Sequence, residues 1–60
     1  MDENLKARWD KAIAHAREYL EIYTTIPMGI YGAAMISDAI LLYEAGDRSQ
    51  ALLERLEGIE

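Results

Sequence analysis

Apolar residues recur along the first third of the chain at Leu5, Trp9, Ala12, Ile13, Ala16, Leu20 and Tyr23, in steps of three and four. That spacing lays one apolar stripe along a helix, and it predicts a first helix over about residues 3–23. Asp2 is placed to cap it, and acids in the first turn suit the positive end of the helix dipole. Lys6 with Asp10 and Arg17 with Glu21 stand four apart, the spacing of surface ion pairs. Tyr19 and Ile22 widen the apolar face towards the C-terminal end, which predicts deeper burial there.

The pattern breaks at Thr24-Thr25-Ile26-Pro27. Proline disfavours helix at the residue before it and suits the first turn of a new one. A second helix is therefore expected over about residues 27–45, with Thr25 as its cap, folded back on the first as an antiparallel hairpin. With the turn centred near Thr25, Leu20 would lie opposite Tyr31, Ala16 opposite Met35, and Trp9 near Leu42. Asp38 would come within reach of Lys11 or His15. Trp9 and Tyr43 are expected on faces that meet. Between Ile26 and Ala45 only Ser37, Asp38 and Glu44 are polar, tyrosine hydroxyls aside. A helix that is apolar nearly all round must be buried nearly all round. One flanking helix on each side covers only part of it.

Gly46 ends this second helix in the manner of a left-handed C-cap. Asp47-Arg48-Ser49-Gln50 then reads as a capping box, with Asp47 accepting from the backbone and Gln50 reaching back. A third helix follows over about residues 48–57. It buries Leu52, Leu53 and Leu56, with Ile59 beyond, and Gly58 stops it. The stretch from Ala39 to Leu56 resembles one tetratricopeptide hairpin, but it occurs once and such units need about three copies.

Composition turns this pattern into an assembly. Sixty residues make a single domain, residues 1–60, and a chain this short buries only about 60% of its unfolded surface. Small domains of this kind need a staple. With no cysteine and one histidine, disulfides and a dedicated zinc site are set aside, which leaves a partner subunit or unusually good helix packing, and 52% hydrophobic residues in so small a chain favour self-association. The expected fold class is all-α: an antiparallel helical hairpin plus a short third helix, assembling into a homo-oligomeric helical bundle.

Charge narrows the partners. Eleven acids against six bases give a net charge of −5, which opposes binding to a DNA or RNA polymer and docking on an anionic membrane. The same charge serves solubility or a basic protein partner. Met1-Asp2-Glu3-Asn4 is acidic and leads into no apolar core, so no signal peptide is expected. The longest uncharged run, Ile22 to Ser37, has sixteen residues, short of the roughly 20 apolar residues of a spanning helix. A cytoplasmic protein is the expectation.

Chemistry is thinly supplied. There is no thiol, one imidazole (His15), and two serines, Ser37 and Ser49, with no base at suggestive spacing. No enzyme, catalytic residue, metal or cofactor is expected. Binding has more to draw on. The start of the second helix offers outward N–H groups and partial positive charge, a seat for phosphate or carboxylate. Met28, Gly29 and Gly32 lie in those turns, where a glycine lets a ligand, or equally a crossing helix, approach the backbone. Thr24 and Thr25 add hydroxyls, and Tyr23 and Tyr31 add flat faces. Arg8, Lys11 and His15 share one face of the first helix, as an anion contact, a solvated face or partners for Asp38. Asp38 itself reads either as an interhelical anchor or as an acceptor for a ligand.

With its size, its helical hairpin, its expected oligomerisation and the IPMGIYG segment leading into a buried helix, the chain resembles the very small helical proteins of bacteriophages. Among these are anti-defence proteins that act as sponges for nucleotide immune signals. The resemblance implies sequestration of a small phosphorylated ligand at subunit junctions, without hydrolysis. The alternative is an acidic interaction module, antitoxin-like or inhibitor-like, that caps a basic host protein.

Overall fold

The computed structural model describes residues 3–60, and three helices account for most of them: α1 Glu3–Thr25, α2 Ile30–Glu44 and α3 Gln50–Glu57. Asp2, the expected cap of α1, lies outside the described residues. The all-α hairpin with a short third helix is therefore as expected, within an elongated body of 40 × 17 × 15 Å.

Ten buried side chains make the core: Trp9, Ala12, Ile13 and Ala16 from α1, Ile36, Ala39 and Ile40 from α2, and Leu52, Leu53 and Leu56 from α3. Each helix thus gives one stripe, and α3 touches both arms of the hairpin. Ala16 and Ala39 are fully buried, where small side chains let helix backbones come close. Leu53 and Leu56 fill the space that α3 covers, each worth about 1.5–3 kcal/mol of burial. Leu5 is 37% exposed, and Leu20 and Tyr23 are half-buried at the edge of the core.

The first turn departs from expectation. α1 runs on to Thr25, and the hydroxyls of Thr24 and Thr25 donate back to the carbonyls of Glu21 and Ile22, each at 2.7 Å. With its hydroxyl engaged inside α1 in this way, Thr25 does not cap the next helix. Pro27 sits in a turn closed by Gly29 N–H donating to the Ile26 carbonyl at 3.1 Å. Proline second and glycine fourth is the ordinary grammar of a β-turn. α2 consequently starts at Ile30, later than the proline alone implied, and no side chain caps it.

The second turn is closed twice over. Gly46, at φ +104°, lets its own N–H reach the Tyr43 carbonyl and the Asp47 N–H reach Leu42, a Schellman ending. Ser49 is the cap of α3: its hydroxyl accepts from the Leu52 N–H at 3.2 Å. Asp47 instead accepts from the Ser49 N–H at 2.8 Å. The expected Asp47–Gln50 box does not form; the cap lies two residues on, at Ser49, and α3 begins at Gln50. That bond from Ser49 holds the Asp47 carboxyl below its usual range.

Candidate functional site

The face of α2 that meets α1 is rotated from the expected one. Gly32, Ile36, Ala39, Ile40 and Tyr43 look inward, whereas Tyr31, Met35, Asp38 and Leu42 look out. The cause is at the turn. A Cβ on Gly29 would stand 2.0 Å from the Tyr23 carbonyl oxygen, and one on Gly32 would stand 2.9 Å from the Tyr23 ring. The two glycines let α2 press onto Tyr23, and that contact sets which side faces α1. Gly29 is buried in consequence.

The rotation moves Asp38 as well. It is exposed and reaches neither Lys11 nor His15. Among the described residues it has no hydrogen-bond or ion-pair partner. It lines a shallow hollow with Leu41, Leu42 and Arg55.

The basic face of α1 turns towards α3. Arg8 grips Glu57 with two bonds of 2.7 Å, and this fork holds the Glu57 carboxyl below its usual range and raises Arg8. His15 Nε2 donates to the Ile59 carbonyl at 2.5 Å, and its ring lies 4.7 Å from that of Tyr19, tilted by 51°. Lys11 shares a small hollow with His15 and Glu57. On the other pairs, Lys6 meets Asp10 at 2.9 Å as expected. Arg17 does not pair with Glu21 but reaches across the hairpin to Glu44, at 3.9 Å.

The sequence-derived binding residues therefore fall into separate places. Arg8, Lys11 and His15 line the α1–α3 junction. Thr24, Thr25, Met28, Gly29 and Tyr31 surround the first turn, with Met28 and Tyr31 projecting into solvent. Tyr23 and Gly32 line a different hollow of about 260 Å³, shared with Met35, Ile36, Arg55 and Ile59. Tyr23 also donates its hydroxyl to the Glu60 carbonyl. No single cleft gathers the set.

Sequence reasoning passed over Arg48 and Arg55. The Arg48 guanidinium lies 3.8 Å from the Tyr43 ring centre and 5.4 Å from Trp9, and donates to the Tyr43 and Asp47 carbonyls. Trp9 and Tyr43 do meet, at 5.8 Å. A cation next to a helix C-terminus was the available signal for Arg48. Arg55 donates to the Met35 carbonyl and borders the hollows on either side of α2's outer edge. Nothing in the one-dimensional pattern marked it.

The most conspicuous surface is the outer side of α2. Met28, Ile30, Tyr31, Met35 and Leu41 are 58–84% exposed. On a helix of 3.6 residues per turn, Ile30, Tyr31, Ala34, Met35, Leu41 and Leu42 fall within a sector of about 140°, opposite the core stripe. Asp38 is the one charge inside that sector. Among the described residues no three His, Asp or Glu side chains are grouped to hold a metal ion. Nor is any helix among them long and apolar enough to cross a membrane. Compared with known proteins, the chain matches no family model, no curated protein and no solved structure.

Proposed function

We propose that this chain works by binding rather than by chemistry, as a self-assembling acidic helical module whose working surface is the outer face of α2. The observation that carries this reading is the two-sidedness of α2. Its inner stripe is fully engaged by α1 and α3, and its outer stripe is apolar apart from Asp38 and open. Single exposed apolar residues need no explanation, but a contiguous stripe the length of a helix does.

A second reading keeps the sequestration of a small phosphorylated ligand, in the manner of the phage sponges that the chain resembles. What favours it is the hollow lined by Tyr23, Gly32, Met35 and Arg55. It pairs an aromatic wall with a guanidinium, with Glu60 also on its lining, and because Met35 belongs to both surfaces, assembly through α2 would wall it over.

Native mass spectrometry and sedimentation of gently purified protein test both. An oligomer is expected, and Leu41→Glu should dissociate it while the circular dichroism stays helical. A wild-type chain that remains monomeric at high micromolar concentration overturns the self-assembly reading. Carried mass of nucleotide size would support the sequestration reading.

A further inference from the structure

We infer that two copies of this chain pair through their α2 helices, antiparallel, about a two-fold axis passing beside Asp38. The inference rests on the self-assembly reading and adds the partner's orientation to it. Three observations carry it.

The first is area. Taking roughly 200 Å² for a fully exposed side chain of this bulk, Met28, Ile30, Tyr31, Met35, Leu41 and Leu42 leave on the order of 800 Å² open. The largest apolar patch on an ordinary monomer is about 300–600 Å². About 800 Å² is what each partner contributes to a standard interface. A second copy brings a stripe of the same size.

The second is shape. Tyr31, Ala34 or Met35, Asp38, Leu41 or Leu42, and Ala45 follow one another in alternating steps of three and four, the repeat with which two helices interlock. The sequence is self-complementary when one copy is reversed about residue 38. Tyr31 then meets the partner's Ala45, Ile30 the partner's Gly46, and Ala34 the partner's Leu42, so at these positions large side chains fall on small ones. Met35 meets the partner's Leu41, and methionine adapts to the space it is given. A parallel pair would set Tyr31 on its twin and Ala45 on its twin, forcing the helices apart at one end and leaving a gap at the other. Reversal also sets the two helix dipoles head to tail.

The third is charge. Each chain is acidic overall, at −5, yet this face carries only Asp38, and Arg55 flanks it across the hollow that both line. Asp38 lacks a partner within its own chain among the described residues. At the axis each carboxylate would find guanidinium groups beside it, which offsets the repulsion between the two carboxylates.

The native chain has no cysteine, so introduced thiols report proximity cleanly. Under mild oxidation Asp38→Cys should link to itself. Ala34→Cys alone should stay unlinked, because its twin lies about 12 Å away along the axis, but it should link when mixed with Leu42→Cys. All three positions are exposed or lie off the core, circular dichroism checks the fold, and Glu18→Cys on α1 should not link. An oligomer in which Ala34→Cys links to itself, or in which none of these thiols link, overturns the antiparallel pairing and leaves self-assembly standing. A monomer by sedimentation overturns both.

Discussion

The two faces of α2 are built from the same kinds of residue and meet opposite fates. Ile36, Ala39 and Ile40 are at most 6% exposed, while Ile30, Met35 and Leu41 are 58–71% exposed. Residue type does not separate them. What separates them is Tyr23, against which Gly29 and Gly32 seat the start of the helix and so choose the side that turns inward. Hydrophobicity states how much of a helix needs covering, and close contact at one end decides which part a short chain covers by itself.

The strongest way to break this asymmetry is at its origin. Gly29→Ala places a Cβ inside the Tyr23 carbonyl oxygen, at 2.0 Å, where backbone must move. A loss of about 3 kcal/mol is expected in chemical denaturation, as for other overpacked sites. Truncation on the two faces sharpens the contrast. Ile36→Ala should cost about 2–4 kcal/mol, as buried truncations do. Met35→Ala should change monomer stability by no more than about 0.5 kcal/mol while weakening self-association measured by sedimentation. Similar losses of stability at both sites would show that the outer stripe is already packed.

Ser49→Ala probes the element that holds the inner face from above. Losing the bond to the Leu52 N–H should cost about 1 kcal/mol, visible as a lower melting temperature with α3 fraying first in amide exchange. The smallest effect belongs to acid. The Glu57 carboxyl is held down by its bonds from Arg8, below its ordinary value of 4.5. Its contribution is therefore whole above about that pH and fades as the pH falls through the depressed value. Glu57→Gln should cost a small increment of stability at neutral pH, small because the pair is exposed, and converge on the wild type in acid, so that its acid limb is the flatter one.

The sequence was most readable where periodicity and punctuation agree. The stripe Trp9, Ala12, Ile13, Ala16 and the trio Leu52, Leu53, Leu56 are where spacing put them, and Gly46 ends α2 as a glycine after a periodic run should. α2 itself carried too little contrast. With apolar residues on nearly every side, its period implies a helix but no inward direction, and a hairpin register centred on Thr25 brings Asp38 towards α1 where the structure turns it out. Local chemistry also misled where two cap formers stood together. Asp47 and Ser49 both qualify, and only the turn geometry gives the cap to Ser49. The basic residues of α1 were legible as a shared face, but their engagement by Glu57 and the Ile59 carbonyl depends on how α3 returns, which no local pattern encodes.

Trp9, the sole tryptophan, is 2% exposed and lies where Tyr43 and the Arg48 guanidinium meet it. Its emission is therefore an intrinsic optical gauge of whether α1, the end of α2 and the turn into α3 are assembled. The outer face of α2 lies on the far side of that helix, so association between copies should leave the signal almost untouched. Fluorescence would follow the fold of the single chain, scattering would follow its company, and the two processes could be timed separately in one cuvette without a label.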